Sequence, residues 1–295
     1  MFIGCLVLFM PKGLMYRSIG LIFFLPLCFY QVNKIKQGEL ELTLLDVGQG
    51  LAILIQSANQ SILFDTGAKY SEKFNIGTHI IVPFLQRKNI QQLDKIIISH
   101  GDNDHIGGLA GILSEIEVKK VFSSVANESN YIHHTFCQRE RSWEMDSIYY
   151  EFLHPDENEH QGLSKNDSSC VLMIKTPKHK ILLTGDIESK SEHLLLEKYA
   201  NKLKADVMLI PHHGSRTSSN KEFITHVDPD IALVSSGYRN RFGFPKPDVI
   251  QRYLDRDIKV INTAKNGAIT LRFSPERIKV STQREKYRRF WHHRP

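Results

Sequence analysis

Four side chains able to bind a cation fall within six residues of this chain: His100, Asp102, Asp104 and His105. They follow the apolar run Ile96-Ile97-Ile98, which reads as a buried strand, and precede Gly107-Gly108 and a helical pattern. A loop between a strand end and a helix lets imidazoles and carboxylates converge without burying a long charged segment. Imidazole nitrogen and carboxylate oxygen together suit Zn2+ or Mn2+. Two later strand patterns end in the same chemistry. Residues 181–184 lead to Asp186, and residues 205–210 lead to His212 and His213. Ligands from successive strand ends can meet at one rim of a sheet. Three His, counting one of His212 and His213, and three Asp suit two divalent cations bridged by Asp186. Such ions, about 3.5–4 Å apart, activate water and clamp a phosphodiester during attack. The carboxylate at Asp102 hardens the site and tilts it towards Mn2+.

Asp104, Asp186 and His212 are the catalytic candidates. Asp65, at the end of the pattern 61–64, is expected to orient a ligating imidazole from behind, because such a ring needs its second nitrogen fixed. Ser215 is a candidate contact for a phosphate oxygen. Asn166 and Ser168 are candidates for the same role or for completing the first metal. A turn or cap role is the alternative for all three.

Strand patterns occupy 39–46, 51–56 and 61–64, then 93–99 and 118–122 around a helix at 106–114. A further helical pattern at 78–88 lies before them. The stretch 126–146 is polar and reads as a surface excursion, with His133 and His134 as loop residues. Strands at 147–153, 170–174, 181–184, 205–210, 231–234, 259–262 and 268–273 follow, with helices at 189–199 and 248–256. Strands first and then strands alternating with helices, twice over, imply an α/β (α+β) body. It consists of two sheets packed face to face with helices outside.

The composition, 41% hydrophobic and 24% charged, excludes disordered and fibrous classes. A net charge of +6 permits a polyanionic partner. Arg239 and Arg241 interleave with Tyr238 and Phe242 just after a strand pattern. This suits single-stranded DNA, gripped by phosphate charge and base stacking; an ordinary surface loop is the alternative. Cys5, Cys28, Cys137 and Cys170 form no close pair, so neither a disulfide framework nor a Cys-type zinc site is expected. Residues 2–10 and 19–30 are apolar, separated by a polar stretch with Lys12 and Arg17. Neither run reaches the roughly 18–20 residues of a spanning helix. A signal peptide, a membrane-surface anchor and the end of a membrane domain are the three readings. The division expected is 1–37 as an apolar membrane-associated segment, 38–280 as the folded domain and 281–295 as a basic tail.

Several motifs occur in a telling order. They are Leu45-Asp46-Val47-Gly48-Gln49-Gly50, Phe64-Asp65-Thr66-Gly67, the His100–Gly108 cluster, Leu183-Thr184-Gly185-Asp186 and Pro211-His212-His213-Gly214-Ser215. In these the chain resembles a metallo-β-lactamase-fold hydrolase, and within that superfamily the C-terminal domain of the ComEC competence family. The resemblance covers nearly all of 38–275. It implies an αββα sandwich, preceded by a short apolar membrane segment, and a nuclease that degrades the DNA strand not imported. It places the catalytic domain on the outer face of the cytoplasmic membrane, with a separately encoded channel domain as a further partner. It also implies that His213 is the ligand and His212 the phosphate contact or proton donor. The departures are Asp102 for the superfamily's usual second His, which the ComEC branch shares, Leu51 after Gly-Gln-Gly, and Lys246 where relatives frequently have His. The same fold also hosts hydrolases of small phosphodiesters and phosphorylcholine-type esters, and a non-catalytic DNA-binding remnant is the third reading.

Overall fold

Period-two burial in short apolar strands generates the architecture of this chain. The computed structural model describes residues 2–11, 13, 17–25, 34–125, 134–156 and 162–288. It falls into two compact units, residues 1–34 and 35–295. In chain order the strands of the second unit's two main sheets begin with β1 (Leu40–Leu44), β2 (Ile53–Gln56), β3 (Ser61–Phe64), β4 (Lys95–Ile98) and β5 (Val121–Ser123). Next come β6 (His134–Phe136), β7 (Ser142–Met145), β8 (Ile148–His154), β9 (Val171–Lys175) and β10 (Lys180–Leu183). The last are β11 (Val207–Leu209), β12 (Ile231–Val234), β13 (Lys259–Asn262), β14 (Ile269–Phe273) and β15 (Ile278–Thr282). One sheet has eight strands in the order β6-β5-β4-β3-β2-β1-β14-β15, and the other seven, β7 to β13 in sequence.

Residues of one parity on each strand meet between the sheets: Leu42, Ile55, Phe64 and Ile97 face Tyr150, Phe152, Leu172 and Leu183 in one buried cluster. The other parity packs outward under helices. Ile96 and Ile98 join Val82, Leu85 and Ile112 on one side, while Met173, Met208 and Val234 join Leu195, Phe223 and Tyr253 on the other. The order of layers is helix, sheet, sheet, helix, as the strand–helix alternation predicts. β3, β4 and β5 are mutually parallel, and so are β10 to β13. Parallel strands place their C-terminal ends at one rim, the usual position for a site. His100, Asp186, His212 and His213 all follow such ends.

Two expectations need correction. The stretch 126–146 is no mere surface excursion, because it supplies β6 to the first sheet and β7 to the second. Its apolar anchor is Trp143, stacked between Phe122 and Tyr150 at centroid distances of 5.7 and 4.9 Å. The cysteines do pair: Cys137, just after β6, is disulfide-bonded to Cys170, just before β9, with Cα atoms 5.9 Å apart. The bond ties one sheet to the other. Separation of 33 residues in the chain concealed a contact made by the sandwich. The helix Lys221–Val227 and strand β15 were also absent from the sequence reading, and β15 runs across the expected boundary at 281.

In the first unit a short helix, Phe2–Leu8, and a 3-10 segment, Arg17–Phe24, expose Phe2, Leu6, Leu21 and Ile22, and Phe9 is exposed just after the helix. Among the described residues no helix is long and apolar enough to cross a membrane. Lys12, residues 26–30, His133, Arg289 and Arg294 lie outside the described residues.

Candidate metal centre

The centre is assembled from backs to fronts: each imidazole is fixed at Nδ1 and leaves Nε2 facing inward. Asp65 ends β3 in a left-handed conformation, φ 61°, and is fully buried. Its carboxylate accepts from Ser99 N at 2.6 Å, Ser99 Oγ at 2.7 Å and His105 Nδ1 at 2.7 Å. Ser99 Oγ and Ser169 Oγ lie 3.0 and 3.3 Å from His100 Nδ1. His213 Nδ1 donates to the Ser235 carbonyl at 2.9 Å, and Ser235 Oγ donates to the Gly50 carbonyl. Partners of this kind set the tautomer and the ring orientation of a ligating histidine.

Two glycines make room for this. At Gly50, φ 131°, a Cβ would sit 2.5 Å from the Asp104 carbonyl oxygen. At Gly185, φ 56°, it would meet the Cβ atoms of Ser169 and Ser99 at 2.9 Å. Both motifs therefore carry glycine for backbone approach. His212 and His213 also adopt positive φ, 48° and 53°. Two consecutive non-glycine residues in that region store strain of about 1–3 kcal/mol each, which the surroundings must hold in place.

His105 Nε2 lies 3.2 Å from Asp186 Oδ2 and 3.9 Å from Asp104 Oδ2. His213 Nε2 lies 3.4 Å from both carboxylates. His100, His105 and Asp186 form one group with ligand atoms within 4.8 Å of one another, and Asp104, His105 and His213 form another. The Nε2 atoms of His100, His105 and His213 are buried and have no hydrogen-bond partner among the described residues. Three buried imidazole nitrogens aimed at two carboxylates fit a divalent cation and leave little else to satisfy them.

The electrostatics agree. Burial pushes the Asp186 carboxyl up, and the neighbouring His105 and His213 more than reverse this, holding it well below the usual range. Asp104 likewise resists burial and is held down to about 2 by His213 and His105. Burial would lower His105 and His213, but Asp186 raises both, with Asp65 adding to the effect on His105 and Asp104 to that on His213. A field that stabilises protons on these nitrogens stabilises a cation at the same place, and the two compete.

The remaining sequence candidates sit further out. Asp102 is 43% exposed, with Oδ2 3.7 Å from His100 Nε2 and Oδ1 3.9 Å from Lys165 Nζ. The nearby His100 imidazole holds its carboxyl below the usual range. His212 does not share the orphaned-nitrogen arrangement: its Nδ1 is 3.2 Å from Glu188 Oε1 and 3.1 Å from Thr217 Oγ1. Asn166 Nδ2 lies 3.5 Å from His212 Nε2. Ser168 Oγ is donated to the Lys165 carbonyl within its own turn, and Ser215 Oγ lies 3.0 Å from Thr217 Oγ1. Arg239 and Arg241 are exposed on the loop after β12, away from the ligand cluster in sequence but joined to it through Phe244, whose ring meets His212 edge-on at 5.7 Å.

Sequence reasoning missed Ser99, Ser169, Ser235 and Glu188, which touch the ligating or neighbouring histidines. It also missed Glu192, fully buried, which accepts from Ser219 N at 2.5 Å and Asn220 N at 2.9 Å and so fixes the segment beyond Ser215. Burial pushes its carboxyl up to about 7 despite those two donors.

Residues 45–238 match the family described as the metallo-beta-lactamase superfamily. Competence protein ComA of Neisseria gonorrhoeae is 33% identical over 293 residues, covering 99% of this chain and 40% of that protein. Recombination protein 2 of Haemophilus influenzae is 34% identical over 272 residues, 92% of this chain and 33% of its own length. ComE operon protein 3 of Bacillus subtilis is 32% identical over 262 residues, 80% of this chain and 33% of its own length. The chain thus spans about a third to two-fifths of the curated relatives it matches. Among solved structures, the metallo-beta-lactamase fold protein YhfI from Bacillus subtilis superposes with a TM-score of 0.53 at 12% identity, covering 80% of this chain and 99% of that one. A putative metal-dependent hydrolase from Parabacteroides distasonis gives 0.51 at 15% identity, covering 78% and 96%.

Proposed function

The chain belongs to the metallo-β-lactamase superfamily, and on that footing we propose that it is a metal-dependent phosphodiesterase acting on DNA during competence. The observation that carries this reading is the set of three buried Nε2 atoms, unpartnered among the described residues, that gather around Asp104 and Asp186. DNA as substrate is supported by relatives named as competence proteins and by the net charge of +6.

His105, His213, Asp104 and Asp186 would hold one divalent cation, and His100, Asp102 and Asp186 a second, as Mn2+ or Zn2+. Bound there, the ions supply Lewis-acid activation of water and of the phosphodiester. The chain's own part is orientation and proton handling. The Glu188 carboxylate, 3.2 Å from His212 Nδ1, favours a proton on that nitrogen and leaves Nε2 turned towards Asn166. Once protonated, His212 Nε2 delivers a proton to the departing oxygen, while Asn166 Nδ2 and the backbone after Gly214 meet phosphate oxygens. The Cys137–Cys170 disulfide supports a location on the oxidising, outer face of the cytoplasmic membrane. The exposed apolar side chains of residues 2–25 support attachment to that membrane.

The test is metal analysis of the purified protein, followed by cleavage assays on single-stranded DNA and on a small phosphodiester under Mn2+ and Zn2+. Cleavage of DNA that follows metal content is expected. Metal-loaded protein that turns over only the small diester moves the assignment to a small-ester hydrolase. Purified protein that binds DNA but takes up no metal moves it to a non-catalytic DNA-binding remnant.

A further inference from the structure

The loop after β12 carries three aromatic rings, each capped by a cation. The Arg239 guanidinium lies 5.3 Å from the Tyr238 centroid, Arg241 lies 4.7 Å from Phe242, and Lys246 Nζ lies 5.4 Å from Phe244. Tyr238 is 51% and Phe242 43% exposed. Leaving rings of this size in water has a cost, and isolated examples are ordinary. Two exposed rings within five positions, each with a guanidinium on its face and one of them stacked on the half-buried Phe244, exceed what the packing of a surface loop requires.

The loop is also held rigid. Asn240 Nδ2 donates to the carbonyls of Gly237 and Phe244 at 2.9 and 2.6 Å, and Asn240 Oδ1 accepts from Phe244 N at 3.0 Å. Lys246 N donates to the Gly214 carbonyl at 2.9 Å, fastening the loop to the turn that bears His212 and His213. Phe242 and Phe244 are stacked, with centroids 5.6 Å apart and planes at 17°. Phe244 in turn meets His212 edge-on at 5.7 Å. The rings thus form a continuous path from the exposed surface to the residue beside the metal ligands.

We propose that this loop is a base-stacking platform for single-stranded nucleic acid, in which an unpaired base extends the Phe244–Phe242 stack and its phosphates lie against Arg239, Arg241 and Lys246. Every base has a flat face, so such a platform grips a strand without reading its sequence. The charge complements a phosphate backbone, and the path ends at His212, so a strand held on Phe242 is delivered towards the centre. An anionic membrane would meet the same side chains but would have no use for a ring path leading inward. The proposal rests on the phosphodiesterase reading only for what happens to the strand at the end of that path.

Binding is measured on the full chain in EDTA, where no cleavage occurs, so that this proposal and the metal-dependent activity stand or fall separately. The probes are a short fluorescein-labelled oligothymidylate, an abasic deoxyribose-phosphate oligomer of equal length and charge, and phosphatidylglycerol vesicles. Wild type is expected to prefer the oligothymidylate over the abasic oligomer by about five-fold or more. Phe242→Ala should erase that preference and Phe242→Tyr should keep it. Equal affinity of wild type for the two oligomers overturns the proposal. So does a preference that survives Phe242→Ala, or an equal loss on both oligomers. Loss of vesicle binding alone in Phe242→Ala would assign the loop to a membrane and overturns it as well.

Discussion

His105 is fully buried with its Nδ1 fixed by Asp65, whereas Asp102, three residues earlier, is 43% exposed and among the described residues pairs with Lys165 at 3.9 Å and His100 at 3.7 Å. The inner half of the centre, formed by His105, His213, Asp104 and Asp186, is anchored from behind by backbone and carboxylate. The outer half shares the buried His100, backed by the Ser99 and Ser169 hydroxyls, but its other members, Asp102 and Asn166, are side chains on turns. A ligand whose back is held needs no ordering when the ion arrives, so its intrinsic affinity is realised in full. If the centre takes two ions as proposed, this contrast would make the inner site the tighter and the outer one the exchangeable member of the pair.

The largest effect that sharpens this contrast is expected at Asp186, which faces both His105 and His213. Asp186→Ala should lose both ions and all detectable cleavage, while His100→Ala keeps the inner ion and some activity. Elemental analysis beside an oligonucleotide assay reads the difference; equal residual activity with metal content unchanged would break the assignment of Asp186 as the shared ligand. Next comes the support beneath the ligands. Asp65→Asn should weaken metal binding by about 10–100-fold although Asp65 touches no ion, because removing such a partner frees the ring it orients. Asp102→Asn, at a position that faces the ions, should cost less. A chelator competition that ranks Asp102→Asn as the more damaging of the two would reverse the inner and outer roles.

The smallest effect concerns Glu192, which lies behind the loop after Ser215. Its carboxyl is raised from 4.5 to about 7. Between those values the folded chain holds a proton that the unfolded chain has released, so stability from this group falls as pH rises from about 4.5 to about 7. The cost above that window is at most about 3 kcal/mol. Arg252 and His193 lie close enough to oppose it, and Tyr253 reaches it through Ser219. Denaturant midpoints of Glu192→Gln should therefore decline less than wild type between about pH 5 and about pH 8. Parallel slopes for the two proteins would show that Glu192 is not the group responsible.

The convergence of His100, Asp104, His105, Asp186 and His213 was legible in the sequence because each lies shortly after an apolar run that forms a strand. Ile97 sits in the inter-sheet core as period two requires, and His100 falls at the rim three residues later. What holds the ligands was not legible. Ser99, Ser169 and Ser235 act through hydroxyls or a carbonyl that any residue possesses, and only the fold aims them. Polar edge strands such as β6 and β7 carry almost no periodic signal, since β6 is half-buried throughout and β7 is mostly exposed, so neither alternates. Glu192 sat in a helix pattern as an apparently solvated charge, and its burial depends on the loop that folds over it.

The bond between Cys137 and Cys170 closes a covalent ring that contains β7, β8 and the turn bearing Asn166. A single backbone cut anywhere inside that ring opens it without releasing a fragment. A molecule nicked there would migrate as one species on a non-reducing gel and as two after reduction, with β8 still seated between β7 and β9. The strands beside the outer half of the centre are thereby held together through a single proteolytic cut for as long as the disulfide stays oxidised.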